Sequence, residues 1–293
     1  MTAKGMPAPR IVSKSKGLPG SMLFHAVCLA LGFLMVYPLL WLLASSMKNG
    51  SEIFTTALSL WPKTWAVFEN YSSGWRGIGG VGFETFMLNS LIVSVVGTVL
   101  GVASSLMAAY AFTRIKFRLS GFWFACVMAT LMIPGQVMVV PQYIIFRSLG
   151  IINTLVSLAA PWMFGSAFFI FLIAQFFRGL PIELDEAAEM DGCGKISTLI
   201  LIYLPLSAPA AATSCIFSFY WIWQDFFQPL IFINDPKKFT VPLALNLYTD
   251  PNSYSNYGGL FAMSVVSLLP VVLFFILFQK HLVEGIATTG LKG

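Results

Sequence analysis

The sequence predicts an all-α membrane protein of six transmembrane helices with both termini cytoplasmic. Three observations lead there. Of the 293 residues, 57% are hydrophobic and only 10% are charged, against about 25% charged in a soluble domain, so too few polar groups exist to cover a globule in water. Charge-free stretches at 17–47, 85–113, 119–146, 148–177, 196–224 and 251–279 each hold 28 to 31 residues, and about 20 apolar residues suffice to span a bilayer. The basic residues then sort by side. With the N-terminus inside, Lys4, Arg10, Lys14, Lys16, Arg114, Lys116, Arg118, Arg178, Lys195, Lys280 and Lys292 fall together, eleven of the seventeen, and cytoplasmic loops carry such an excess. The net charge of +5 is therefore a topology signal, and no nucleic acid partner is expected.

Residues 1–21 form a short basic cytoplasmic tail. Helix one covers about 22–43 within a first unit, 22–84, that ends in an outer loop. Its apolar run to Met47 is longer than the core of a cleaved signal peptide, and Pro38 is tolerable where neighbouring helices satisfy the freed carbonyl. The loop 48–84 carries Trp61, Trp65, Tyr71 and Trp75, the residue types of a headgroup belt that touches membrane lipid. The main membrane domain is 85–280, opening with helix two at about 85–112. A tight loop bearing Arg114, Lys116 and Arg118 follows. Helix three starts near Leu119 and meets Pro134, Gly135 and Pro141, where it ends or kinks, leaving Tyr143–Ile152 near the outer surface. Helices four, five and six cover about 154–177, 206–233 and 259–280, and 281–293 is a second cytoplasmic tail.

Soluble enzyme chemistry has no foothold. There is no HExxH helix, CxxC pair, Gly-rich phosphate loop or nucleophile elbow. His25 and His281 lie far apart, so no metal site is expected. Cys28, Cys126, Cys193 and Cys215 lack paired spacing and read as reduced thiols. Without a phosphate loop, any ATP that drives this protein must be hydrolysed on another chain.

The loop 178–205 is the anomaly. It packs seven charges into the eighteen residues from Arg178 to Lys195, five of them the acids Glu183, Asp185, Glu186, Glu189 and Asp191. Pro181 suits a first helical position, and the acids that follow favour a helix N-terminus. Leu184, Ala187, Ala188 and Asp191 share one face by spacing, and Gly192 and Gly194 stop the helix. A helix lying on the headgroups normally carries Lys and Arg on its polar face. This one is acidic, with two adjacent alanines that let a surface approach and glutamates that can pair with arginine. It predicts a protein partner.

Glu186-Ala187-Ala188, three residues, Gly192, nine residues, Ile202, one residue and Leu204-Pro205 match the complete EAA motif, and the chain resembles the permeases of binding-protein-dependent ABC importers. Ile133-Pro134-Gly135-Gln136, Pro141-Gln142-Tyr143, Leu149-Gly150-Ile151-Ile152-Asn153-Thr154 and Trp223-Gln224-Asp225-Phe226 with Pro229-Leu230 resemble the carbohydrate permeases related to the maltose system. The ending Val283-Glu284-Gly285-Ile286 and Gly290-Leu291-Lys292-Gly293 resembles the shorter, six-helix member of that pair. Cys193 stands where the family usually has Ala, and Gln224 where Asn is commoner. The resemblance implies a type I ABC importer permease fold in a prokaryotic inner membrane. It implies as partners a second homologous permease, two cytoplasmic ATPases that bind ATP and Mg, and an extracytoplasmic solute-binding protein. Glu186, Ala187, Ala188 and Gly192 would couple to an ATPase, and residues 284–293 would reach between the two. The cargo would be an oligosaccharide or related polyol, with a non-sugar solute as the alternative. No cofactor is implied on this chain.

Inside the membrane, Asp225 is the one carboxylate within a long apolar segment, four residues before Pro229. A charge beside a broken helix marks a transport pathway, or else it satisfies nearby backbone near the outer interface. Tyr220 and Trp223 are the aromatic candidates for a sugar face beside it, in a segment with more aromatic residues than one sugar can use. An ion-gradient transporter would need such an acid for coupling but has no use for an acidic docking helix, and a membrane scaffold accounts for the hydrophobicity but not for the loop.

Overall fold

The computed structural model describes residues 18–55, 59–249 and 255–290, so the residues 1–17 and 291–293 of the two expected tails lie outside it. Among the described residues the backbone is helical, with two isolated β-bridges, Lys48 to Trp65 and Ile78 to Val81. In chain order come α1 (Leu18–Met47), α2 (Glu52–Thr55), α3 (Val67–Trp75), α4 (Phe83–Arg114), α5 (Ser120–Thr130), α6 (Gly135–Ser148), α7 (Leu155–Met163) and α8 (Ala167–Arg178). Then follow α9 (Glu183–Met190), α10 (Lys195–Thr198), a π-helical turn (Leu199–Tyr203), α11 (Leu204–Leu206), α12 (Ala208–Trp223), α13 (Phe227–Phe232), a 3-10 turn (Pro236–Lys238), α14 (Val241–Leu247) and α15 (Tyr257–Gly290).

Four stretches are long and apolar enough to cross a membrane unaided: Met22–Met47, Phe83–Arg114, Leu155–Arg178 and Tyr257–Lys280. Counting each of two bent pairs as one span gives six. Ser120–Thr130 meets Gly135–Ser148 at 100°, and Lys195–Leu206 meets Ala208–Trp223 at 79°.

Helix three breaks where its prolines led one to expect, and the courses expected for helices four and five are corrected. Helix three breaks fully between Thr130 and Gly135, because a residue before proline avoids the α region and Pro134 itself is extended, with ψ 129°. Within the stretch expected near the outer surface, Tyr143–Ser148 are helical, the end of α6, which carries Pro141 within it. Helix four is interrupted at Phe164–Ser166, where Gly165 adopts φ +86°. Helix five is split at Ser207 and again at Gln224–Phe226.

The central member is α4, which packs on α7, α8 and α12, while α15 packs on α12, α3 and α1. Its buried face is a run of small residues, Ser90, Ser94, Gly97, Thr98, Gly101 and Ser105. In lipid, helices have no water to flee, so association depends on close packing of such residues. A side-chain carbon on Gly101 would lie 2.4 Å from the Trp162 carbonyl oxygen, and one on Gly97 would lie 2.7 Å from Ile222 Cδ1. The same stripe repairs the break in the facing span. Ser104 Oγ donates to the Met163 carbonyl at 3.0 Å, and Ser105 Oγ accepts from Ser166 N at 3.2 Å. Broken helices persist in a membrane only where freed backbone groups are satisfied in this way.

At the Phe83 end of α4, Phe83, Phe86, Phe219, Trp223, Val241 and Met263 form one core; at the Arg114 end Val102, Leu106, Tyr110, Ile173, Phe177 and Tyr203 form another. The segment after α1 is folded around buried polar groups. Lys48 is fully buried and its Nζ donates to the Ser59 carbonyl. Asn70 Nδ2 donates to the carbonyls of Ser46 (2.9 Å) and Lys48 (2.7 Å). Glu52 accepts from Lys63 N at 2.7 Å and Thr64 N at 3.2 Å, and the Lys63 bond leads in holding its carboxyl below the usual range.

Candidate functional site: the α9 loop and the broken-helix cavity

α9 forms because Glu183, Asp185 and Glu186 fill its first turn, where unpaired backbone N–H groups favour negative charge. It ends in a Schellman motif. Cys193 N donates to the Ala188 carbonyl at 2.9 Å and Gly192 N to that of Glu189 at 3.1 Å, with Gly192 at φ +74°. A left-handed residue at this position is glycine's province.

The helix has two faces, and they divide the expected residues. Glu186 and Ala187 are exposed, as are Glu183, Ile182 and Met190. Ala188 is turned the other way, 2% exposed against the bundle. Of the alanine pair expected to admit a partner, therefore, only Ala187 faces outward; Ala188 seats the helix. Gly192 is exposed at the helix stop. Glu189 pairs with Lys195 across the turn, and that hydrogen bond lowers the carboxyl's pKa.

Beneath α9 is a group of residues that the sequence did not bring together. Arg114, the last residue of α4, points Nη1 at Asp185 Oδ2 (3.1 Å), and Tyr203 Oη donates to that same oxygen at 2.9 Å. Arg114 Nη2 donates to the carbonyls of Phe177 and, at 2.8 Å, Leu180. The guanidinium lies over the Tyr203 ring, 5.0 Å from its centroid. The Arg114 side chain is 6% exposed and that of Asp185 19%. Arg114 reads in the sequence only as a topology charge. The signal for Asp185 was its spacing: three residues before Ala188, it shares the inward face.

The three pathway candidates do not converge. Trp223 is 6% exposed and stacks on Phe219, ring centroids 5.7 Å apart, inside the core near Phe83. Tyr220 lines an apolar cavity of about 290 Å³ with Phe217, Val271 and Phe275. Asp225 lines a different cavity of about 420 Å³, with Gln136, Trp162, Trp221, Gln224 and Gln228 among its walls. Its Oδ1 accepts from Phe227 N (3.1 Å) and Gln228 N (3.3 Å), which caps α13. Trp162 Nε1 and Gln228 Oε1 are buried without a hydrogen-bond partner among the described residues. Sequence reasoning missed Gln136, Trp162 and Gln228; the available signal was amides placed beside Pro134 and Pro229, where helices break. No group of acids, histidines or cysteines able to hold a metal occurs among the described residues.

Residues 97–288 match the family described as binding-protein-dependent transport system inner membrane component. The probable ABC transporter permease protein YurM of Bacillus subtilis is 36% identical over 260 residues, covering 88% of this chain and 84% of its own. The diacetylchitobiose uptake system permease protein NgcG of Streptomyces coelicolor is 31% identical, covering 90% and 86%, and the arabinooligosaccharides transport system permease protein AraQ of Bacillus subtilis is 32% identical, covering 90% and 92%. Among solved structures, a chain of a bacterial ABC transporter involved in the import of the acidic polysaccharide alginate superposes with a TM-score of 0.76 at 21% identity, covering 89% of this chain and 96% of that one. This last likeness speaks to the fold.

Proposed function

Since the chain belongs to the binding-protein-dependent transport system inner membrane components, we propose that it is the six-helix permease subunit of a carbohydrate importer whose α9 docks on a cytoplasmic ATPase. The multi-pass inner-membrane placement and the permease role are those of the family. ATP is hydrolysed on separate subunits, so this chain is a transport component and not an enzyme. The partners in this reading are a second homologous permease, two ATPases carrying ATP and Mg, and an extracytoplasmic binding protein. Relatives named for diacetylchitobiose and arabinooligosaccharides support an oligosaccharide as cargo.

One observation carries the docking reading: an acidic helix that exposes Glu186 and Ala187 beside the exposed apolar Ile182 and Met190. An apolar centre with charged neighbours is interface chemistry. Lys116 and Arg118 lie at the same end of α4, which supports a cytoplasmic position for α9. For the solute, the cavity at Asp225 is the better candidate than the neighbourhood of Tyr220 or Trp223. It joins two indole rings to three amides and a carboxylate at helix breaks, where transporters commonly place their sites.

The test is affinity purification of the chain with Glu186→Lys or Gly192→Val. Both positions lie outside the apolar spans, so abundance in the membrane stays normal. Removing one member of a partly buried ion pair costs about 2–5 kcal/mol, and a side chain at positive φ is strained. Uptake is expected to vanish in both, with the ATPase lost from the complex or idle within it. Normal transport and unchanged ATPase association in both variants would show that α9 docks nothing.

A further inference from the structure

We infer that Arg114, Asp185 and Tyr203 form a transmission pin that makes α9 and the membrane helices move together. The inference rests on the reading of α9 as the docking element and assigns what happens on the side of that helix away from the ATPase. Apolar packing alone holds α9 weakly, because Ala188 is its one fully buried residue. The firm attachment is the single guanidinium of Arg114, on which four elements converge. It is the last residue of α4; it donates to carbonyls at the end of α8 (Phe177 and Leu180); it is paired with Asp185 of α9; and it is covered by the ring of Tyr203, which closes the π-helical turn.

Each feature suits a rigid link. Arginine presents its donors in a fixed planar fork, so several acceptors are held at defined angles at once. Burial protects the pair from salt screening. Asp185 Oδ2 is shared between Arg114 and the Tyr203 hydroxyl, so neither neighbour can leave without weakening the other. The π-helical turn leads through α11 to the 79° bend into α12, and such turns are frequent at functional sites. A push on the outer face of α9 therefore reaches α4 and α8 through Arg114, and α12 through Tyr203. α12 contributes Trp221 to the wall of the cavity at Asp225, and α4 packs on α7, which contributes Trp162.

The test uses the whole transporter in proteoliposomes, with uptake and ATP hydrolysis measured together. Asp185→Asn and Tyr203→Phe are expected to leave the ATPase bound and hydrolysing while solute moved per ATP falls by about tenfold, the order of an energetic coupling between two sites. Asp185→Glu, which keeps the carboxylate, should retain most of that ratio. A merely structural role lowers uptake and hydrolysis in step, through less assembled complex, and leaves the ratio unchanged. An unchanged ratio in Tyr203→Phe, which removes a single hydroxyl and keeps the ring, overturns the pin, as does loss of the ATPase from the Asp185→Asn complex. If no ATPase accompanies even the unaltered chain, the docking reading has failed instead.

Discussion

Asp225 shows how one carboxylate can be costly and still belong where it is. An aspartate at the centre of a spanning helix opposes insertion by about 2.5–3.5 kcal/mol. Here it stands after α12 has ended, and its Oδ1 takes up two backbone N–H groups that begin α13. The same atom thus repairs the helix break and puts a polar group into the cavity wall. Its two roles separate by substitution. Asp225→Asn keeps an oxygen to accept from Phe227 and Gln228, so uptake is expected to stay near that of the unaltered protein. Asp225→Leu leaves those N–H groups unpaired, which costs about 1–3 kcal/mol, and should reduce both membrane abundance and uptake. If the asparagine variant reaches normal abundance and transports nothing, the charge itself is needed along the pathway.

At the scale of elements, α4 decides how closely the bundle can pack. Its stripe of glycine and serine brings the α7 backbone against it at Trp162 and supplies the hydroxyls that mend the break before α8. Gly101→Ala adds a methyl group 2.4 Å from a carbonyl oxygen. Overpacking of that kind costs about 1–3 kcal/mol, so the variant should lose heat resistance in detergent, while Gly32→Ala in α1, where an added carbon meets nothing within 4 Å, should not; equal losses would show that Gly101 is not a contact point. This packing was only partly legible in the sequence. Charge-free lengths locate each span, because the bilayer demands roughly the same length from every helix. Proline told of the break before Pro134. It did not foretell the one at Gly165, where no proline intervenes and the compensating hydroxyls, Ser104 and Ser105, lie some sixty residues away. The α9 helix was legible because its acids and Gly192 act locally. Its attachment was not, since Arg114 reaches Asp185 across 71 positions of sequence.

At the scale of the molecule, the two ends of the bundle differ in kind. One end carries α9, Lys116, Arg118 and the Arg114 network; the other carries the folded segment after α1, with its buried Lys48 and Asn70, and the turns around α14. Their assignment to inside and outside rests on charge: cytoplasmic loops hold the excess of lysine and arginine, and the docking role of α9 requires the same side. An orientation reversed as a whole would leave every internal contact intact, so packing cannot decide it and labelling can. With Cys28, Cys126, Cys193 and Cys215 replaced, single cysteines serve at four exposed positions: Lys116→Cys and Met190→Cys at the α9 end, Phe68→Cys and Asn246→Cys at the other. In intact cells an impermeant thiol reagent should label positions 68 and 246 and spare 116 and 190, and opening the membrane should expose all four. Labelling of 116 or 190 from outside would put α9 beyond reach of any cytoplasmic ATPase, and the docking helix and its pin would fall together.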